Sequence, residues 1–142
     1  MLIIEANKVL DIVIGILFKN KRVLIASRPP LKIFSGYYEF PGGKVEKGEF
    51  LLEALYRELN EELKIKVELN KVIFFTNYKI QREKKLNLNF FICDEWEGKI
   101  FPNEKQNLFW VEISQLSNFK ILKSNYKVIK MLKRQTLFPR GK

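Results

Sequence analysis

The chain has 142 residues, 46% of them apolar and 13% aromatic, enough for one globular domain with its own core. Its 26 basic and 16 acidic side chains give a formal charge of +10, which suits polyanionic partners and equally suits a solubilising lysine surface. There is no histidine and only one cysteine, which excludes His-dependent nucleophiles, His bases, internal disulfides and zinc sites. Chemistry in this chain must rest on carboxylates, Lys, Arg, Tyr, backbone amides and a hard metal ion.

Residues 9–19 and 21–27 are rich in Val, Ile and Leu around "KNKR" and read as a strand pair. The apolar "IVIGILF" is too short to span a bilayer, which needs about 20 residues, so it reads as a buried strand. A loop with "RPP" and "SGYY" leads into a short strand ending at Phe40. "FLLEALYRELNEELK" has helical period, with Leu52, Leu55, Tyr56, Leu59 and Leu63 on one side. "IKVELNKVIFFTNYKI" and "LNLNFFICDEWEG" read as two long strands around the charged turn "QREKK". "NLFWVEI" is a further strand and "SQLSNF" a helical turn. "SNYKVIKMLKRQ" is a closing helix capped by Ser124 or Asn125. The order β-β-β-α-β-β-β-α predicts an α/β domain, a mixed sheet between helices, over residues 1–142, with 136–142 fraying. Cys93, inside "NFFICDEW", reads as strand core, and a lone thiol fits a reducing cytoplasm.

"EFPGGKVEKGE", residues 39–49, combines glycine and charge in a way that fits either a surface turn or a phosphate loop. It is not a Walker A cradle. Gly43 and Gly48 have the right gap, but Glu49 stands where that motif needs lysine. The basic chain also carries one acidic island: Glu46, Glu49, Glu53, Glu58, Glu61 and Glu62. At about 100° per residue, Glu58, Glu61 and Glu62 share one arc of the helix, opposite the leucine stripe. They repel one another, and they sit at the helix end where the macrodipole disfavours negative charge. A solvated acidic face is the plain reading. A divalent cation is the other, since clustered carboxylates suit Mg²⁺ or Mn²⁺.

The spacing from Gly43 to Ile65, "GKVEKGEFLLEALYRELNEELKI", resembles the Nudix box. Gly43, Glu49, Arg57, Glu58, Leu59, Glu61, Glu62 and Ile65 match it. Lys64 departs from it, standing where the family usually has a glycine that ends the helix in a left-handed conformation. "EFPGGK", "DEWEGK", "NLFW" and "SNYKVIKMLK" extend the resemblance to the MutT branch over nearly the whole chain.

The resemblance implies a Nudix-type α/β/α sandwich and hydrolysis of nucleoside triphosphates, oxidised guanine nucleotides preferred, to monophosphate and pyrophosphate. It implies Mg²⁺, with Mn²⁺ as a substitute, held by Glu58, Glu61, Glu62 and the Gly42 carbonyl, with Glu104 reaching the same centre. Arg57 and Glu49 become a supporting pair, and Glu58 and Glu104 rival general bases. Arg28 and Lys44 are candidate phosphate contacts or plain surface charge. Phe40 lines the base pocket or the core, and Asn125 reads the oxidised purine or caps the last helix. The expected partner is a small nucleotide, met by a monomer with no membrane attachment. Alternatives are another Nudix chemistry, on RNA 5′ ends, ADP-ribose or dinucleoside polyphosphates, and a catalytically silent domain that binds RNA or a partner.

Overall fold

The computed structural model describes residues 8–30 and 33–135, so the tail at 136–142 lies outside the described residues. β1 (Val9–Lys19) and β2 (Arg22–Ser27) form a hairpin through Asn20 and Lys21. Both turn residues have positive φ, the twist that a two-residue hairpin loop demands. β3 (Tyr38–Glu39) and β4 (Gly42–Lys44) precede α1 (Leu51–Leu63). β5 (Lys66–Val67), β6 (Ile73–Gln81), β7 (Lys85–Cys93), β8 (Trp96–Glu97) and β9 (Leu108–Glu112) follow, and α2 (Tyr126–Arg134) closes the described chain.

β1 organises the sheet. It pairs in parallel with β7 along its length, antiparallel with β2 at its end, and antiparallel with β4 through Ile12–Ile14. β6 lies outside β7, while β2 carries β3 and β9. Both faces of β1 are covered, which is why it reads as an unbroken apolar run. Ile14, Ile16 and Phe18 enter a core shared with Val128, Ile129 and Leu132 of α2. Val13 and Leu17 enter a second core with Ala54, Leu55, Leu59 and Leu63 of α1. A mixed sheet between helices is therefore the architecture, as the α/β reading required. Among the described residues no helix is long and apolar enough to cross a membrane.

Three expectations about elements change. Residues 65–80 are not one strand: a 3₁₀ turn at Leu69–Lys71 separates β5 from β6. Residues 86–98 are not one strand either, because Trp96–Glu97 leaves the main sheet to pair with Lys66–Val67. A fourth strand, Gly42–Lys44, precedes α1. On α1 itself the buried side is wider than the leucine stripe, since Ala54 is buried and Leu52 is 38% exposed. At about 100° per residue, Glu58 and Glu62 point between Ala54 and Leu55. They lie along the edge of the packed face, not opposite it.

Candidate active site

The two glycines of β4 bring backbone to a distance that no other residue permits. A Cβ at Gly42 would collide with the Val13 carbonyl on β1, and a Cβ at Gly43 would overlap the Glu58 carboxyl group. The strand is thus pressed between the sheet and the acidic edge of α1. Pro41 hydrogen-bonds through its carbonyl to Gly15 N at 2.8 Å, fixing the chain just before that point.

Arg57 is the centre of the charge network. Its Nε donates to Glu49 Oε2 at 2.6 Å and its Nη2 to Glu49 Oε1 at 3.0 Å and the Lys44 carbonyl at 3.0 Å. Its Nη1 donates to Glu58 Oε2 at 3.0 Å and Glu61 Oε1 at 3.2 Å. Of the three clustered glutamates, Glu58 and Glu61 therefore have Arg57 as a counter-ion. The Arg57 guanidinium, and the Glu46 amide that also donates to Glu49, hold the Glu49 carboxyl down to about 2. Glu49 and Glu58 push Arg57 further up in return.

Glu62 is the opposite case. Burial first, then the charges of Glu58, Glu104 and Glu39 and a hydrogen bond with Glu58, push its carboxyl up to about 9. Glu62 therefore feels three other acids, contributed by α1 itself and by two separate segments. Glu61 stands apart, its side chain 57% exposed and turned toward Arg57. Among the described residues no three acidic or thiol groups already form a cage for an ion. Charge that repels and hard oxygen donors against a glycine cradle nevertheless have the chemistry that suits a divalent cation.

The helix end is held by a loop. Asn103 Nδ2 donates to the Glu61 carbonyl at 2.8 Å and Asn103 N to the Glu62 carbonyl at 3.0 Å. Gln106 Nε2 donates to the same Glu62 carbonyl at 3.3 Å, and Phe101 N to the Leu63 carbonyl at 2.9 Å. These bonds satisfy carbonyls that a helix terminus leaves without partners. They also bring the exposed Glu104 within electrostatic reach of Glu62, with Glu104 N donating to Gln106 Oε1 at 2.9 Å. Lys64 does not shift the helix end: it takes the left-handed conformation itself, φ 59°, and its ammonium lies 4.8 Å from the Phe101 ring.

Arg28 is not presented to a phosphate in this arrangement. Its Nη1 makes a forked contact with Glu39, at 2.9 and 3.1 Å, and its Nε donates to the Ile33 carbonyl at 2.8 Å. The Lys44 side chain is exposed on β4. The Phe40 ring, 3% exposed, belongs to the α2-side core. Asn125, 4% exposed, makes no cap to α2. Its Oδ1 accepts from Phe40 N at 3.2 Å, and its Nδ2 donates to Ser124 Oγ at 3.4 Å. Sequence reasoning passed over Glu39, Asn103 and Gln106. The only signal was their place inside "EFPGGK" and "FPNEKQN", where nothing indicates which distant carbonyl or carboxylate they meet.

A NUDIX domain family model matches residues 9–132 of this chain. The chain belongs to the NUDIX domain family. An 8-oxo-dGTP diphosphatase of Buchnera aphidicola subsp. Schizaphis graminum is 34% identical over 92% of this chain and 98% of that protein. A solved MutT structure, from work on the Aliivibrio salmonicida and Vibrio cholerae proteins, superposes with a TM-score of 0.78. It is 34% identical and covers 88% of this chain and 97% of its own. A CTP pyrophosphohydrolase of Escherichia coli is 30% identical over 72% of this chain and 76% of that protein. This Nudix protein is a MutT-like nucleotide pyrophosphohydrolase, acting on phosphoric anhydrides. Hydrolases of the family generally use divalent metal cations.

Proposed function

We propose that the chain converts 8-oxo-dGTP to 8-oxo-dGMP and pyrophosphate with Mg²⁺, removing an oxidised precursor from the nucleotide pool, as a monomer in the cytoplasm. The observation that carries this reading is the Gly42–Gly43 backbone pressed against the Glu58 carboxyl, with the half-buried Glu62 within electrostatic reach of Glu58 and Glu104. Mg²⁺, with Mn²⁺ able to substitute, would be held by Glu58, Glu61, Glu62 and the Gly42 carbonyl, and would neutralise phosphate charge and acidify water.

The protein groups divide the remaining work. Arg57 and Glu49 fasten the glycine loop to α1, so that the acids keep their spacing when substrate arrives. Glu58 is committed to Arg57 and Glu62, which leaves Glu104 as the exposed carboxylate that takes the proton from the attacking water. The Asn103 and Gln106 bonds set how near Glu104 comes. Lys44 lies at the mouth of the loop as a phosphate contact, and Arg28 reaches a phosphate only by leaving Glu39. The Asn125 amide, which donates and accepts at once, matches a purine edge bearing both an acceptor and a new N–H.

A cytidine triphosphate is the second reading, favoured by the CTP pyrophosphohydrolase relative. One comparison separates them: kcat/KM for 8-oxo-dGTP, dGTP, CTP, dCTP, ADP-ribose and triphosphorylated RNA, measured together. The proposal requires 8-oxo-dGTP to rank first, and a higher value for any of the others refutes the substrate assignment. Hydrolysis in ¹⁸O water should label pyrophosphate and not the monophosphate; label in the monophosphate would place attack at the α-phosphorus.

A further inference from the structure

Asn125 ends a 3₁₀ turn, Lys123–Asn125, that runs into α2, and with helical backbone angles its side chain makes no cap. A residue from the sheet meets the first turn instead. The Tyr78 hydroxyl accepts from Val128 N at 3.3 Å, in the first turn of α2, and donates to the Ser124 carbonyl at 2.7 Å. Tyr78 lies on β6, its ring stacked on Phe90 at 5.2 Å with the Lys127 ammonium 5.0 Å over its face. Burial pushes its hydroxyl up to about 12, so the group stays a donor.

Ser124 is the second element. Its Oγ receives Arg82 Nη2 at 3.2 Å and Asn125 Nδ2 at 3.4 Å. Arg82, on the β6–β7 turn, also sets its guanidinium 5.3 Å from the Phe34 ring, tying in the loop that follows β2. On the other side, Phe40 N can meet only the oxygen of the Asn125 amide. Donor on one flank and acceptor on the other leave one orientation of that amide. Each of its two polar atoms keeps one further hydrogen-bonding site.

The geometry points to Tyr78 and Arg82 as positioning residues for base selection: Phe40 N sets which way the Asn125 amide faces, Tyr78 holds the backbone from Ser124 to Val128, and Arg82 holds the Ser124 hydroxyl that receives the Asn125 NH₂. This rests on the reading of Asn125 as the group that meets the oxidised base. Tyr78 and Arg82 need touch no part of the nucleotide. They act on the ratio between two substrates, because an amide that is no longer held in place pairs poorly with the donor and acceptor of the oxidised base.

The test measures kcat/KM for 8-oxo-dGTP and dGTP, with Mg²⁺ present, in the parent protein and in Tyr78→Phe, Arg82→Gln and Asn125→Ser. ¹⁵N spectra of the Asn125 side-chain amide accompany the kinetics. Tyr78→Phe and Arg82→Gln should each lower the 8-oxo-dGTP to dGTP ratio by about tenfold, the scale of one mispaired polar contact. The two amide proton signals should move together toward the position of a solvent-averaged amide. An unchanged ratio in both, with a reduced ratio in Asn125→Ser, overturns the positioning role and leaves the base reading intact. An unchanged ratio in Asn125→Ser overturns both. If Tyr78→Phe does not fold, the Arg82→Gln ratio decides alone, since that side chain sits on a surface turn.

Discussion

The acidic end of α1 and the start of α2 are built differently, and the difference separates what a sequence shows from what only a fold can show. The first is mostly local: Arg57 reaches Glu49 eight residues away and Glu61 four residues away, along one loop and one helix. The second is assembled from far parts. Phe40 and Asn125 are 85 residues apart, Tyr78 and Ser124 46, Arg82 and Ser124 42. A contiguous motif keeps its spacing in the primary structure, whereas a site made by strand pairing leaves only isolated residues with ordinary explanations. Under the proposed function the first end, with its charge and close backbone, would serve phosphate chemistry, and the second, with one neutral amide, would tell bases apart.

The largest expected effects break the acidic end. Glu61→Gln and Glu62→Gln should each lower kcat by about 10²–10³-fold, the scale of losing one charge contact in the transition state. Initial rates with Mg²⁺, alongside far-ultraviolet circular dichroism to show that the fold persists, check this; full activity in EDTA or in either variant would remove the metal assignment. Gly43→Ala comes next. Its Cβ overlaps the Glu58 carboxyl, and displacing that group by about 1 Å should cost roughly 10²-fold in kcat/KM. An unimpaired Gly43→Ala enzyme would mean that Glu58 works from another position.

Asn125→Ser sharpens the contrast with the other end. It should lower kcat/KM for 8-oxo-dGTP about tenfold to a hundredfold more than for dGTP. Its melting temperature should fall modestly, because Ser leaves the buried Phe40 N–H without the Asn125 oxygen, while the Val128 amide stays held by Tyr78. A large fall in melting temperature with no change in the ratio would return Asn125 to a structural role.

The smallest effect concerns pH. The Glu49 carboxyl titrates near 2 in the folded chain against an ordinary value of 4.5. A lowered folded value stabilises the folded state above the unfolded value, so the contribution is fully present above about 4.5 and disappears as pH falls toward 2. Glu49→Gln should therefore flatten the acid limb of the melting-temperature profile over that window and leave its shape unchanged above it. A parallel downward shift at every pH would mean that the carboxylate contributes packing alone.

Much of this was readable before any coordinates. The long strands β1, β2, β7 and β9 and both helices carry apolar periods, and eight Nudix positions carry their own spacing. The strands that escaped, β4, β5 and β8, have two or three residues each and no period to detect. Glu58 and Glu62 were misplaced on the wheel because a leucine stripe alone does not show that Ala54 is buried. Lys64 takes the left-handed conformation at the helix end, and the loop through Phe101, Asn103 and Gln106 that holds this end meets α1 only in the folded chain.

The division of labour between the two ends is tested most directly by one paired measurement: the ratio of kcat/KM for 8-oxo-dGTP to that for dGTP, compared between Glu62→Gln and Asn125→Ser. Glu62→Gln should depress both substrates alike and preserve the ratio, while Asn125→Ser should lower the ratio by at least about tenfold. A ratio that falls in Glu62→Gln, or one that survives in Asn125→Ser, would show that chemistry and base selection are not divided between these two regions.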